Sequence, residues 1–270
     1  MKLRQTNIAK LSEGVFDVLI LGGGINGAVA AAALAAKGVK VALIDKGDFA
    51  GFTSSNSSNL AWGGIKYLEN FEIFLVNKLC QCRNHLMKNY PSTVQEVRFF
   101  TSIQKGFRMP VLFVYFGTLF YWLMGRFFTK APRYLTKSQI NREESAVNTT
   151  NVKAGFEYSD CYLHDNDARF VFNFIRSSLN FGGIAANYVE STQAKRENDL
   201  WVVDAKDTMG NTPFKIRAKA LVNACGPYVD QHNQLTKQTT AHHHVFSKGI
   251  HLVVDRITDH HRVLTFFASD

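Results

Sequence analysis

Three of the glycines and one aspartate between residues 16 and 45 can together hold a dinucleotide. Gly22, Gly24 and Gly27 follow the spacing Gly-x-Gly-x-x-Gly, and Asp45 lies 23 positions after the first of them. In this pattern the first glycine permits a tight turn, the second lets the backbone approach a pyrophosphate, and the third lets a helix pack closely on a sheet. The N-terminus of that helix offers free N–H groups to the phosphates, and the acid can accept hydrogen bonds from the adenosine ribose. We therefore predict a dinucleotide site here.

The residues around these glycines predict the elements that must position them. An apolar run at Val15–Leu21 has the length and branching of a buried parallel strand. Small residues at 28–36 favour a helix, and a second apolar strand at 39–44 leads into the acid. Further along, apolar and polar residues alternate over 187–228, which predicts strands joined by a polar turn at 209–211. This order of elements is typical of an α/β fold.

A hydroxyl-rich segment after the second strand helps to predict which dinucleotide binds. Residues 53–58 read Thr-Ser-Ser-Asn-Ser-Ser, which is not what a nicotinamide enzyme usually places after its second strand. Short hydroxyl side chains donate and accept hydrogen bonds without bulk, so they suit the edge of a flat cofactor. For any single serine, the alternative is a purely structural role in the loop.

Together these blocks give the chain a family resemblance. It resembles the FAD-dependent glycerol-3-phosphate dehydrogenases, in the flavoprotein superfamily that includes D-amino-acid oxidase. The blocks that carry the resemblance, in family order, are GGGINGA (22–28), TSSNSS (53–58), GGIKYLE (63–69), GFEYSD (155–160) with 167–169, LVNACGPYVD (221–230) and KGIHLVV (248–254). The resemblance implies FAD as the cofactor. It also implies a Rossmann-like FAD-binding domain of the glutathione-reductase type and an interleaved α+β substrate domain.

The resemblance implies which residues meet the cofactor. Besides the three glycines and the acid, they are Thr53, Ser54, Ser55 and Ser58, a backbone amide near Val189 for the adenine, and Ala224 and Gly226 beside the dinucleotide.

No metal site is expected, because His242, His243 and His244 are adjacent residues that point in different directions and have no Cys or carboxylate partner at a useful spacing.

The resemblance also implies the chemistry and the substrate residues. Oxidising a secondary alcohol to a ketone by hydride transfer to flavin N5 requires a base for the hydroxyl proton. His251, Lys66 and Tyr67 occupy positions where the family contacts its substrate, and His251 is the candidate base. Lys248 is expected to supply positive charge nearby. A hydrogen-bonded core histidine in a strand is the alternative for His251. Glycerol 3-phosphate or a similar alcohol is the expected substrate, with a membrane quinone as the electron acceptor.

Three departures from the family pattern leave the substrate open. Trp62 stands where the family has a histidine, and Asn59 stands where it has a lysine. Lys66 replaces an arginine, and a lysine cannot reproduce the two-pronged grip of arginine on a phosphate. An amino-acid or hydroxy-acid oxidase or dehydrogenase is therefore the second hypothesis, and a truncated, inactive flavin-binding fragment is the third.

Members of the family are much longer than these 270 residues, so we expect a fragment. The expected parts are a discontinuous FAD-binding domain at 1–90 and 155–238 and an incomplete substrate domain at 91–154 and 239–270. A doubly wound sheet that lacks a strand exposes an edge and apolar surface. We therefore expect marginal stability and weak FAD retention for the 270 residues alone.

The most apolar segment of the chain is the uncharged stretch 109–125. Basic residues flank it, and it is too short for a conventional membrane span. One interpretation is a core element of the substrate domain, and the other is a monotopic contact with an anionic membrane surface. We expect an irregular region here, between helices at about 64–90 and 168–180, with Asp167 as the N-cap of the second helix.

The composition excludes several classes of protein. Lys and Arg number 31 against 22 Asp and Glu, which gives a net charge of +9, and 46% of the residues are hydrophobic. That balance argues against disorder. The charge alone would suit nucleic acid, but no zinc finger, RNA-binding signature or dense basic helix accompanies it. The four cysteines are scattered and the polar N-terminus lacks a secretory signal, so we expect a cytoplasmic protein with reduced thiols. If the stretch 109–125 contacts a membrane, that membrane surface is expected to be the inner face.

Overall fold

The computed structural model describes residues 2–246 and 249–266 and divides the chain into two units. Unit 1 comprises Met1–Ser58 and Asp165–Gly249, and unit 2 comprises Asn59–His164 and Ile250–Asp270. Each unit is thus assembled from two separate stretches of the chain.

Unit 1 is built on a six-stranded sheet. Its strands are β1 Val15–Leu21, β2 Val41–Ile44, β7 Ile184–Ala186, β8 Val189–Glu197, β9 Leu200–Asp207 and β10 Thr212–Asn223. The order across the sheet is β7-β2-β1-β10-β9-β8. The first four in this order run parallel, whereas β9 is antiparallel to β10 and β8 is antiparallel to β9.

Helices cover both faces of this sheet, because the central strands are apolar on both sides. They are α1 Leu3–Glu13, α2 Ile25–Ala35, α6 Asp167–Asn180 and α7 Val229–Leu235. Leu19 packs into one core cluster with Leu11 of α1, while the next residue, Ile20, packs into another with Ile175 of α6. Successive side chains of β1 therefore point to opposite faces of the sheet, and each face packs against its own helices.

In its described residues, unit 2 contains a second sheet and three α-helices. The strands are β3 Leu60–Ala61, β4 Val94–Gln104, β5 Arg133–Thr136, β6 Val152–Leu163 and β11 Arg262–Thr265, and the helices are α3 Ile73–Asn89, α4 Val111–Met124 and α5 Lys137–Glu143. The sheet order is β11-β4-β6-β3, and β5 also pairs with β6. Only β11 and β4 run parallel among the pairs of this sheet in the described residues.

Several predicted elements occur close to their expected places. The strand–helix–strand unit around the glycines is present, with α2 beginning three residues before the predicted 28 and β2 beginning at Val41 rather than at 39. The helix predicted at 168–180 is α6, and the turn predicted at 209–211 separates β9 from β10.

Two expectations about the middle of the chain are wrong. The long helix predicted at about 64–90 is interrupted: a 3₁₀ turn at Ile65–Asn70 ends at Phe71, whose φ of +56° is left-handed and cannot continue a right-handed helix. The region predicted to be irregular holds β4, α4, β5 and α5. Pro110 is the N-cap of α4 and marks where that helix begins.

The N-cap of α6 is also corrected. Asn166, rather than Asp167, is the capping residue, and its side chain accepts a hydrogen bond from the N–H of Ala168. Asp167 is the first residue within the helix, and its carboxylate accepts hydrogen bonds from the backbone N–H and hydroxyl of Ser57. It therefore ties the hydroxyl-rich segment to α6.

The boundaries between the two units differ from the boundaries of the expected domains. Residues 59–90 and 155–164 were expected with the FAD-binding part but belong to unit 2, since β3 and β4 both pair with β6. Residues 239–249 belong to unit 1. Pairing between strands that are distant in the sequence sets these divisions, and no composition change marks them.

Candidate cofactor-binding site

A cleft opens in unit 1 at the carboxyl ends of β1 and β2, where parallel α/β sheets bind their ligands. Among the described residues, eight of those predicted to meet the cofactor line it: Gly22, Gly24, Asp45, Thr53, Ser54, Val189, Ala224 and Gly226. The fold therefore brings together residues that are up to 204 positions apart in the sequence.

Gly22 and Gly27 are required by the backbone geometry of this cleft. Gly22 has a φ of +104°, and a Cβ there would collide with the carbonyl group of Ala224. Its N–H donates to the carbonyl of Ile44, which joins the ends of β1 and β2. Gly27 does not line the cleft; a Cβ there would collide with the carbonyl oxygen of Gly22. It therefore allows α2 to begin close against the strand end.

The N-terminus of α2 points its backbone donors toward the same cleft wall. Gly24 is the N-cap, and the N–H of Ile25 donates to Ser54 Oγ at 3.0 Å. A Cβ on Gly24 would come within 3.1 Å of that hydroxyl. The helix end and the hydroxyl-rich segment are thus adjacent, and the N–H groups of a helix N-terminus together with a serine hydroxyl suit a phosphate.

Asp45 ties the glycine turn to the end of β2. Its carboxylate accepts hydrogen bonds from the N–H groups of Gly23 at 2.6 Å and Gly47 at 2.8 Å. The side chain is buried, and that burial raises the pKa of the carboxyl group against the opposing effect of the two donors. Because each carboxylate oxygen has two lone pairs, the group retains capacity for a ribose hydroxyl.

Two of the predicted cofactor residues, Val189 and Ser55, are engaged in hydrogen bonds within the protein. The N–H of Val189 donates to the carbonyl of Asp45 at 2.8 Å, so that amide is already engaged. The hydroxyl of Ser55 donates to the carbonyl of Phe52. Ser58 is exposed at the end of the first stretch of unit 1. Ser55 and Ser58 are not among the residues that line the cleft.

Sequence reasoning missed an aromatic and cationic cluster in the cleft wall. The Nζ of Lys46 lies 3.5 Å from the ring centroid of Tyr228 and 5.4 Å from that of Phe52. The two rings meet edge to face at 5.5 Å, and all three residues line the cleft. Cation–π contacts of this kind favour a fixed side-chain arrangement. No spacing in the sequence connects residues 46, 52 and 228, although Tyr228 lies within one of the family blocks.

His232 of α7 is a second missed residue of the cleft. It is buried, and its Nε2 lies 3.2 Å from Ser191 Oγ. Burial lowers the pKa of this imidazole, since the charged form would lose its hydration. His232 is therefore neutral in the folded protein near neutral pH.

The lowered pKa of His232 predicts how stability depends on pH. Below about pH 6.5 the unfolded chain takes up a proton here that the folded chain does not, so the free energy of unfolding should fall as the pH decreases. Urea unfolding between about pH 7.5 and pH 5 should show a smaller fall for His232→Gln than for the wild type. Ser191→Ala, which removes the hydroxyl next to His232 but no titratable group, is the control and should keep the pH-dependent fall of the wild type. An unchanged profile in His232→Gln would contradict this assignment.

The predicted substrate residues Lys66, Tyr67 and His251 lie in unit 2. Lys66 and Tyr67 belong to the 3₁₀ turn 65–70, both are exposed, and the rings of Tyr67 and Trp62 lie 5.8 Å apart. His251 is exposed in an irregular segment, so the strand-like expectation for this part of the chain is wrong. No strand in the described residues pairs with that segment. Lys248 lies outside the described residues.

A buried charged cluster supports the turn that carries Lys66 and Tyr67. Asp160 Oδ1 accepts hydrogen bonds from Arg83 Nη1 at 2.9 Å, Tyr121 Oη at 2.7 Å and the N–H of Gly63 at 3.0 Å. Burial raises the pKa values of both Asp160 and Tyr121, while Arg83 opposes both shifts. Because Gly63 lies two residues before this turn, the cluster helps to fix where the turn begins.

Comparison with known proteins identifies the family of this chain. Residues 17–269 match the family described as FAD dependent oxidoreductase. The chain belongs to the FAD-dependent oxidoreductase family. The family resemblance and the fold class predicted from the sequence are confirmed, and the family is one of enzymes that use FAD.

Relatives within this family are known. The aerobic glycerol-3-phosphate dehydrogenase of Escherichia coli K12 is 34% identical over 89% of this chain and 47% of its own length. D-erythritol 1-phosphate dehydrogenase of Brucella abortus 2308 is 32% identical over 89% of this chain and 47% of its own. The solved glycerol-3-phosphate dehydrogenase of Bacillus halodurans, complexed with FAD, superimposes with a TM-score of 0.66 at 25% identity, over 86% of this chain and 38% of that one. The chain thus spans about half the length of the curated relatives it matches.

Proposed function

We propose that this chain forms the FAD-binding part and a portion of the substrate-binding part of an enzyme that oxidises glycerol 3-phosphate, or a similar alcohol, to the ketone. The observation that carries the proposal is the unit 1 cleft, in which a glycine turn, a helix N-terminus and eight predicted cofactor residues meet. Relatives that act on glycerol 3-phosphate and D-erythritol 1-phosphate support the substrate class.

The residues of unit 1 fit the cofactor. Gly22 and Gly24 let the backbone of Ala224 and the hydroxyl of Ser54 lie close to the glycine turn, and the N-terminus of α2 with Ser54 presents donors suited to the pyrophosphate. Asp45 is proposed to accept a hydrogen bond from the ribose, and Val189 and Ala224 also line the cleft. FAD, when bound, supplies the acceptor for the hydride of the alcohol.

Unit 2 is proposed to provide the substrate contacts. His251 would take the hydroxyl proton, and Lys66 would place a positive charge near the substrate phosphate, with Tyr67 as a further contact. A lysine acts as a point charge, so the phosphate grip of this chain would be weaker than one provided by arginine. Electrons are proposed to pass to a membrane quinone.

Anaerobic visible spectroscopy tests this function. The purified protein, expressed with any coding sequence that follows Asp270, is loaded with FAD, and its oxidised-flavin band near about 450 nm is followed after adding glycerol 3-phosphate. Bleaching of the band supports the proposal. A bound flavin that does not bleach with glycerol 3-phosphate or other phosphorylated polyols would contradict the substrate class. Failure to bind FAD would contradict the cofactor site.

Oxidation of a hydroxy acid or an amino acid is the second candidate function. It is favoured by Lys66 and Trp62, which replace residues of the family pattern, and by the exposed aromatic pair that Trp62 forms with Tyr67. Bleaching by such an acid, with rapid peroxide formation in air, would favour it over the leading proposal.

We also propose that α4 contacts a membrane surface. Its exposed residues are Leu112, Phe113, Phe116, Phe120 and Leu123, while Tyr121 and Met124 pack inward. The exposed residues recur at helical spacing, so they form one apolar face. Lys105, Arg108, Arg126 and Lys130 flank the helix and suit anionic headgroups. Within the described residues, no helix is both long and apolar enough to span a bilayer.

The α4 face predicts binding to anionic vesicles. Replacing Phe113 and Phe116 together by serine should weaken partitioning into phosphatidylglycerol vesicles by about tenfold, since the apolar area that inserts is reduced. Vesicle sedimentation measures this. Phe181→Ser, which alters a similarly exposed phenylalanine next to α6, is the control and should partition as the wild type does. Equal partitioning of the double variant and the wild type would contradict the membrane role.

A further inference from the structure

Arg4 connects the N-terminal helix α1 with the β7–β8 connection of unit 1. Its Nε donates to the carbonyl of Asn187 at 3.0 Å, and its Nη2 donates to the carbonyl of Tyr188 at 3.2 Å. The same guanidinium pairs with Asp207 at 2.5 Å. The hydrogen bond from Arg4 lowers the pKa of that carboxyl group. One side chain therefore holds two consecutive backbone carbonyls and a carboxylate.

The connection that Arg4 holds has an unusual backbone. Tyr188 has a φ of +54°, a left-handed conformation that is strained for a residue with a side chain. Its N–H donates to the carbonyl of Gly47 at 3.0 Å, and its carbonyl also accepts from the N–H of Thr208 at 2.9 Å. A strained residue of this kind persists only when its surroundings fix it, and Arg4 provides part of that fixation.

The strained residue directly precedes the cleft. Val189 follows Tyr188, lines the cleft, and donates its N–H to the carbonyl of Asp45 at 2.8 Å. Asp45 in turn holds the glycine turn through Gly23. Hydrogen bonds from Arg4 therefore hold residues 187 and 188, and the backbone of this segment leads directly to Val189 in the cleft.

Helix α1 is itself anchored to the sheet, so Arg4 starts from a fixed position. Asn7 is buried and donates from its side-chain amide to the carbonyl of Ala185 in β7 at 2.9 Å. Leu11 is fully buried in the core cluster on the same face of the sheet. The helix is thus held at two further points beyond Arg4.

We propose that Arg4 is a positioning residue for the cofactor, which fixes residues 187–189 so that Val189 and Asp45 form the cleft wall. The ligand class follows from the proposed function, on which this inference rests. An arginine is needed because its planar fork serves several acceptors at once, whereas a lysine ammonium is a point charge. Arg4 itself touches neither substrate nor cofactor.

The test combines FAD affinity with hydrogen exchange in the full chain. Arg4→Ala should weaken FAD binding, measured by quenching of flavin fluorescence, by about tenfold, because it removes several charge-assisted hydrogen bonds. Arg4→Lys should cause a smaller loss. Hydrogen exchange should accelerate in peptides that cover 187–190 in both variants, with and without FAD. Arg169→Ala is the matched control, since Arg169 makes an exposed ion pair with Asp165 in the same unit.

Each outcome decides between the proposals. An FAD affinity of Arg4→Ala equal to that of the wild type, or a loss no larger than in Arg169→Ala, would overturn the positioning role. If Arg4→Ala loses its fold by circular dichroism, Arg4→Lys carries the same comparison. If the wild type itself takes up no FAD, the proposed function fails. In that case, faster hydrogen exchange at 187–190 in the Arg4 variants alone would still support the proposal that Arg4 positions the β7–β8 connection. Unchanged hydrogen exchange would overturn it.

Discussion

Gly22→Ala should weaken FAD binding by about 100-fold or more while the protein remains folded. Two effects act in the same direction. The φ of +104° at this residue is unfavourable for alanine, and the new Cβ would collide with the carbonyl of Ala224, which also lines the cleft. Relief of the collision requires the ends of β1 and β10 to separate, which displaces residues that line the cleft. Equilibrium dialysis or flavin fluorescence against FAD measures the loss.

Gly38→Ala is the matched control for this prediction. Gly38 follows α2 with a φ of +78°, but a Cβ there would meet no atom within 4 Å. The substitution therefore introduces backbone strain without crowding and at a distance from the cleft wall. It should lower the melting temperature and leave FAD affinity unchanged. Equal losses of affinity in the two variants would show that strain in unit 1, rather than the geometry of the cleft, governs binding.

Arg83→Met should lower the free energy of unfolding by about 3–5 kcal/mol, because it leaves the carboxylate of Asp160 buried without its charged partner. Arg83 is 2% exposed and Asp160 is 0% exposed, so water cannot replace the lost partner without a rearrangement. Tyr121 and the N–H of Gly63 would remain as donors to the carboxylate. Urea unfolding at neutral pH measures the change.

The pH dependence of Arg83→Met provides a second measurement of the same effect. Without the guanidinium, the already raised pKa of Asp160 should rise further, so the folded variant binds a proton that the unfolded chain releases. Stability relative to the wild type should therefore recover as the pH falls from neutral toward the unfolded pKa of an aspartate. Arg108→Met, which removes an exposed ion pair with Glu69 in the same unit, should change the free energy of unfolding by less than about 1 kcal/mol at any pH. A similar loss of free energy of unfolding in both variants would contradict the view that burial makes the Arg83–Asp160 pair more important than the exposed pair.

The part of the fold that the sequence predicts well is the part with strong local signals. Val15–Leu21, the glycine turn and Asp45 follow one another within 31 residues, and each has a distinct physical requirement, so their elements and their common cleft could be predicted. The helix α6 likewise begins at polar residues and keeps a regular apolar spacing. Local consistency of this kind makes a prediction from one sequence dependable.

The features that were missed depend on contacts between distant parts of the chain. The break at Phe71 interrupts a pattern that is apolar at helical spacing on both sides, so periodicity alone favoured one helix. Lys46 and Tyr228 meet across 182 positions, and no local pattern connects them. The division of the units at residues 58 and 164 follows from strand pairing to β6, which no local pattern marks.

The construction of unit 1 from two stretches of chain has a consequence for its synthesis. Strand β1 pairs with β10 in a register that joins Val15 to Arg217, two residues 202 positions apart. At ribosomal rates of roughly 5–20 residues per second, the first strand waits about 10–40 s before its partner has even been translated. The edge of β1 that faces β10 is unpaired throughout that interval, whereas β2 can pair with β7 once residue 186 has been made, and the β4–β6 pair of unit 2 is complete earlier still. The nascent chain is therefore expected to be most prone to aggregation before residue 223 emerges, and folding should be limited by this late closure of the sheet.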